Sequence, residues 1–113
     1  MYPVDPKKIA LNNKLVNTQF ILECLGLAKS LDTKIEKVCL TFTNKTLVFS
    51  AAEFISIFGT KLKLDDYLYG LTFWGNSHQP QKMEFRLYPT FMDFKVNNIK
   101  VGRYFKDWGY PLL

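Results

Sequence analysis

Few side chains in this sequence are of a type that does chemistry, and their spacing limits what each can do. Nucleophilic catalysis needs a Ser, Cys or Thr held beside a base, most often histidine. The chain carries one histidine, His78, set in the polar stretch Gly75–Gln81, where it reads as an exposed loop side chain. Cys24 and Cys39 form no C-x-x-C pair and have no neighbouring histidine, so no zinc ligand set is spaced for binding. They read as two reduced thiols, at least one of them buried. Asp65-Asp66 is the only adjacent carboxylate pair. Neighbours on a strand point to opposite faces and in a turn they face water, so the pair reads as a solvated turn. No G-x-G-x-x-G or P-loop run occurs among the six glycines. These spacings supply no catalytic residue, no metal site and no cofactor site.

One constellation has mechanistic content. Phe91–Val96 and Ile99–Phe105 flank Asn97-Asn98, a dipeptide suited to a two-residue hairpin turn. A regular register from that turn pairs Val96 with Ile99, Phe94 with Val101 and Met92 with Arg103, an apolar face that belongs in a core. The other face then sets Lys95 opposite Lys100, Asp93 opposite Gly102 and Phe91 opposite Tyr104. Lys106, Trp108 and Tyr110 follow just downstream. Lysines mixed with aromatic rings suit single-stranded nucleic acid, because phosphates meet charge while bases stack. The same mixture suits a protein interface anchored by aromatic groups. A plainer reading covers the rings with a helix or the C-terminal tail and leaves two solvated lysines at a hairpin tip. The tail Trp108–Leu113 reads either as a strap over the core or as an apolar peptide that docks on another subunit.

Composition narrows these options. A chain of 113 residues with 48% apolar and 22% charged side chains is one globular domain, residues 1–113. Its net charge of +5 comes almost wholly from lysine, with Arg86 and Arg103 the only arginines. Scarce arginine speaks against dedicated nucleic-acid binding, since the guanidinium fork is the preferred reader of guanine and phosphate. Phe, Tyr, Met, Ile, Asn and Lys make up 45 residues, against 17 for Gly, Ala, Arg and Pro. The first set has AT-rich codons, so an AT-rich coding source such as a phage, a low-GC bacterium or an organelle inflates the lysine count. The start Met1-Tyr-Pro-Val-Asp lacks a basic, apolar leader, and no apolar run approaches a bilayer span. The expected setting is an intracellular, soluble one without membrane contact, and the Asn44-Lys45-Thr46 sequon then means only a turn.

The elements that must position these groups can be read locally. Asp5-Pro6 suits the start of a short helix over Lys7–Leu11, which Asn12-Asn13 ends. Asn17 is a fair N-cap for a main helix over Thr18–Leu31, with Ile21, Leu22, Leu25, Ala28 and Leu31 at helical spacing. Gly26 inside it costs up to ~1 kcal/mol and suggests a close packing contact. Val38–Thr43 and Thr46–Ser50 alternate as a hairpin around Asn44-Lys45, pairing Phe42 with Leu47 and Leu40 with Phe49. Ser50-Ala51-Ala52-Glu53 is a capping box opening a helix Ala51–Phe58 that ends at Gly59. Leu62 and Leu64 suggest a short edge strand, and Leu71–Trp74 a buried one. Met83, Phe85 and Leu87 alternate as another strand. The sum is an α+β fold, a mainly antiparallel sheet of five to seven strands with two or three helices packed on one face.

The functional expectation is a small non-enzymatic module that docks on a protein partner or larger assembly, such as a phage or mobile-element accessory protein. Its contact surface is expected from Phe91, Lys95, Lys100, Tyr104, Lys106, Trp108 and Tyr110. The alternative is a nucleic-acid binder using the same hairpin, and the third reading is an enzyme working at the loop that carries His78.

Overall fold

The computed structural model describes residues 5–31, 33–76 and 80–109. The elements run α1 (Pro6–Ser30), β1 (Lys34–Phe42), β2 (Thr46–Ser50), α2 (Ala51–Ile57), β3 (Leu68–Asn76), β4 (Pro80–Leu87), β5 (Phe91–Val96) and β6 (Ile99–Phe105). The six strands form one antiparallel sheet in the order β2-β1-β3-β4-β5-β6. This is the expected α+β architecture. Helix α1 packs across β3 and β4 and α2 across β1 and β2, so the apolar positions of the sheet and both helices merge into one buried cluster. Val38, Leu40, Leu71, Phe73, Met83, Phe85 and Phe94 form its sheet side. Removing each such side chain from water contributes about 1.5–3 kcal/mol.

Helix α1 differs most from expectation. It is a single 25-residue helix rather than a short one broken at Asn12-Asn13 and a main one starting after Asn17. The start is as read: Asp5 is the N-cap, its carboxylate accepting from the Lys7 amide at 3.0 Å, and Pro6 follows. The asparagines, disfavoured inside helices by local chemistry, are used for tertiary bonds instead. Asn13 donates to the Asp65 carbonyl at 2.8 Å. Asn17 donates to the carbonyls of Leu64 and Asp66 at 3.0 and 2.8 Å. The inward stripe therefore begins earlier, at Asn13, Val16, Asn17, Phe20, Ile21, Cys24 and Ala28, and Leu22 and Leu31 turn to solvent. The close packing contact expected at Gly26 is not there: a Cβ at that position would have no neighbour within 4 Å outside its own helix turn.

The same asparagine bonds explain why Leu62–Leu64 is not a strand. That segment is irregular, with Leu64 buried, and the Leu64 carbonyl, like those of Asp65 and Asp66 after it, accepts from α1 rather than from a ladder. Asp66 turns outward to an ion pair with Lys45 at 3.2 Å. In the first hairpin, Leu40 pairs with Leu47 and Val38 with Phe49, two residues out from the expected register. A slip of two leaves every side chain on its expected face, so the apolar side is intact. The Phe42 amide instead closes the turn on the Lys45 carbonyl at 2.9 Å. Beyond it, Ser50 caps α2, its hydroxyl accepting from the Glu53 amide at 3.2 Å. Gly59 follows in the left-handed region at φ +85°, the conformation glycine supplies at a helix end.

Candidate interaction surface

The helices cover one side of the sheet only. Alternation places Lys37, Thr41, Thr72, Trp74, Lys82, Glu84, Arg86, Asp93, Lys95 and Arg103 on the opposite side, and no described element packs over it. Aromatic rings and cations interleave there. The Lys37 ammonium lies 4.4 Å from the Trp74 ring centre, and the Arg86 guanidinium sits 5.9 Å from Tyr69 and 5.4 Å from Tyr88. Gly70 leaves a shallow basin of about 360 Å³ bordered by Thr41, Tyr69, Glu84, Arg86, Asp93 and Lys95.

The β5–β6 hairpin forms the far edge of this surface. Its turn is the expected one: Asn97 and Asn98 both take positive φ, 51° and 68°, as a two-residue hairpin turn demands. Asn97 also braces the turn against β4, its amide donating to the Lys82 carbonyl at 2.8 Å and its side-chain oxygen accepting from the Lys82 amide at 3.0 Å. Val96 pairs with Ile99 and Lys95 with Lys100, as read from the sequence. The register then shifts at a bulge that leaves Val101 unpaired. Phe94 meets Gly102, Asp93 meets Arg103, Met92 meets Tyr104 and Phe91 meets Phe105. The expected partnership of Phe91 with Tyr104 is thus replaced by one with Phe105. Tyr104 moves to the helix side, its ring over Gly102, while Arg103 and Phe105 join the open side. Glycine inside a strand is a signal for a bulge, and Gly102 carried that signal.

The bulge also resolves the electrostatics of the two facing lysines. Arg103 now lies beside Asp93 and grips it with two bonds, Nε to Oδ1 at 2.7 Å and a terminal nitrogen to Oδ2 at 3.1 Å. Lys100 adds an ion pair to the same carboxylate at 3.7 Å. The Arg103 hydrogen bond holds the Asp93 carboxyl below its usual range, helped by the charges of Arg103 and Lys100. One buttressed carboxylate therefore offsets the Lys95–Lys100 repulsion. The Arg103 guanidinium also covers the Phe91 ring at 4.2 Å, and Phe91 stacks on Tyr88 at 4.3 Å between centres. Outside this stack no described element covers the edge strand. Ile99, Val101 and Phe105 are 68%, 60% and 77% exposed.

Of the seven expected contact residues, Phe91, Lys95 and Lys100 share the open side. Lys106 does not: it pairs with Glu23 on α1 and lies over the Trp108 ring at 4.8 Å. Trp108 is a core residue, only 3% exposed, packed edge-on to Phe20 at 5.9 Å. Two backbone bonds to the β4–β5 connection, from Lys106 to Thr90 and from Trp108 to Pro89, and one from the Asn12 side chain to the Gly109 carbonyl tie the strap down. The strap reading of the tail is the correct one as far as Gly109, and Trp108 is removed from the contact surface. Tyr110, like His78, lies outside the described residues. Arg86, Arg103, Phe105, Tyr69 and Tyr88 are the surface residues that sequence reasoning missed, because their grouping depends on β3, β4 and the bulge.

Both cysteines are free and buried. Burial pushes the Cys24 thiol well above its ordinary range, with the Glu23 charge adding to the effect, so it stays protonated and unreactive. No group of three metal-ligating side chains occurs among the described residues. No described helix is long and apolar enough to cross a membrane. No protein-family model, curated protein or solved structure matches the chain.

Proposed function

We propose that this protein is a non-catalytic docking module whose partner is another protein, engaged at the β6 edge and the adjoining open side of β5. The supporting observation is the bare edge itself. A sheet edge presents unpaired backbone groups, and natural proteins blunt such edges unless they are used. Here a seven-residue edge strand carries exposed Ile99, Val101 and Phe105. An extended partner segment would take the backbone bonds of β6 and lay its own side chains beside these groups. Lys95, Lys100 and Arg103 outnumber the carboxylates beside them, Asp93 and Glu84, the second of which also pairs with Lys82, and favour a segment with acidic residues on the open side.

The same surface supports a second reading, single-stranded nucleic acid, because Lys37, Lys82, Arg86, Lys95, Lys100 and Arg103 share a side with Trp74, Tyr88 and Phe91. A pull-down from the native source, run with and without nuclease, separates them. The protein reading requires a stoichiometric partner that survives nuclease and is lost in Ile99→Lys/Phe105→Lys. The nucleic-acid reading requires retention of an oligonucleotide with affinity falling steeply as salt rises, lost in Lys95→Glu/Lys100→Glu. Removal of Trp108–Leu113 is unsuitable for either test, since it takes a core residue away.

A further inference from the structure

Helix α1 carries an apolar row that the fold does not use. Its inward stripe runs through Val16, Phe20, Cys24 and Ala28. On the outward side Leu11, Leu15, Thr18, Leu22, Leu25 and Lys29 follow one another in alternating steps of four and three residues. That is the spacing of a coiled-coil seam. Leu11, Leu15 and Leu22 are 58%, 62% and 53% exposed, and Leu25 is half-buried. Thr18 turns its hydroxyl back to the Lys14 carbonyl at 2.6 Å, so it needs no polar partner outside the helix. At 1.5 Å per residue the row is about 27 Å long. Exposed Lys14 and Gln19 border it on either side. A stripe this narrow is a helix seam rather than the broad face that a globular core or a lipid surface takes. Gly26 lies on the same outward side, and a Cβ there would meet no atom within 4 Å beyond its own helix turn. Mid-helix glycine costs stability, but it lets a neighbouring backbone come close.

The charges around the row have one sign. Lys7 and Lys8 occupy the first turn of α1, Lys14 flanks the row and Lys29 ends it. All four are exposed, and none has an ion-pair partner among the described residues. Beyond the Asp5 cap the first turn holds no acid, so two cations stand at the helix end where the dipole disfavours them. Glu23, the one carboxylate within α1, is already held by Lys106. A second copy of α1, laid in either direction, would bring lysines and no free acid to this row. The complementary occupant is an anionic one.

We propose that α1 docks an amphipathic helix of a partner protein, leucine-rich on its inner face and acidic along its flanks, in a two-helix coiled coil over Leu11–Lys29. Leucine knobs of the partner enter the holes between Leu11, Leu15, Leu22 and Leu25, and its acids meet Lys7, Lys14 and Lys29. The row lies on the outside of the helix layer, away from the open side of the sheet and the β6 edge, so this site stands or falls independently of the docking proposed there.

The probe is a synthetic peptide of about three heptads with leucine at a and d and glutamate at e and g, titrated into the full-length protein and followed by amide chemical shifts. A peptide with the same seam and lysine flanks is the charge control. The glutamate peptide should give saturable shifts at Leu11, Leu15, Thr18, Leu22 and Leu25, and the lysine peptide should bind at least about tenfold more weakly. Leu15→Lys/Leu22→Lys replaces exposed side chains, so it should unfold at the wild-type temperature, and it should abolish the shifts. Lys7→Glu/Lys14→Glu should reverse the order of the two peptides, a result that no loss of folding could produce. The proposal is overturned by absence of saturable binding of the glutamate peptide up to about 1 mM, by equal affinity for the two peptides, or by shifts centred on other elements. It is also overturned if Leu15 and Leu22 instead mediate self-association, or capture on phosphatidylglycerol vesicles, in place of peptide binding.

Discussion

The two edges of the sheet are built from the same unit, the outer strand of a hairpin, and are finished in opposite ways. Strand β2 is five residues long and runs at once into the capped helix α2, whose Phe54 folds back on Phe49 with ring centres 6.3 Å apart. Val48 is its one strongly exposed large apolar group. Strand β6 is longer, carries Ile99, Val101, Tyr104 and Phe105 exposed, and hands the chain to a strap that crosses to α1 instead of covering it. A short strand followed by a helix is a common way to protect an edge; a long apolar one left open invites another strand. The contrast supports the proposed docking role: β2 is a short edge strand that runs into a helix, and β6 a longer one with more apolar groups exposed.

The difference can be broken by mutation. Phe54→Ala should cost about 3–5 kcal/mol in urea unfolding, because it empties a fully buried site against Phe49 and Phe58. Phe105→Ala should change stability by no more than about 0.5 kcal/mol. Comparable losses at the two positions would mean that β6 is packed, and the contrast would be gone. Next in size, Asn17→Ala should lose about 1–3 kcal/mol. It leaves the Leu64 and Asp66 carbonyls without the Asn17 amide, in the segment that carries the chain on from α2. Asn17→Asp should not rescue it, since the carboxylate cannot donate.

Smaller still, Ser50→Ala should cost about 1 kcal/mol by uncapping α2 and should speed amide exchange in β2 without altering exchange in β6. The smallest effect is at the open edge and depends on pH. The Asp93 carboxyl is held low by Arg103, so its contribution is complete at neutral pH. It is present in full above the ordinary aspartate value and is lost as pH falls from there through the lowered folded-state value. Asp93→Asn should therefore lower stability slightly at pH 7 and flatten the acid limb of a stability–pH curve, with added salt restoring part of the loss by screening Lys95 from Lys100. A steeper acid limb in the variant would show that the carboxylate does not serve this role.

Much of the fold is legible from short-range signals. The β5 and β6 boundaries follow from alternation around Asn97-Asn98, and α2 follows from Ser50, Glu53 and Gly59. The misreadings share a cause. Helix α1 looks broken because Asn13 and Asn17 are poor helix residues, and nothing near them in the chain shows that carbonyls some fifty positions away are their partners. The first hairpin is two residues out because a slip of two preserves the alternating pattern that defines it. Part of the proposed surface was legible as Phe91, Lys95 and Lys100. The exchange of Tyr104 for Phe105 was not, apart from the hint in Gly102.

Local chemistry is enough, then, for the strands of the second hairpin, the capped helix, the absence of a spaced catalytic or metal motif, and the lysine focus at Lys95 and Lys100. These rest on propensities, caps and period, which act within a few residues. Packing settles the rest: that α1 is continuous, that Trp108 lies inside, that a bulge turns Arg103 onto Asp93, and that β6 stays bare while β2 is finished by α2. Each depends on where a distant backbone carbonyl, ring or carboxylate stands once the sheet has formed, and burial and hydrogen bonding at that distance outweigh what the neighbouring residues prefer.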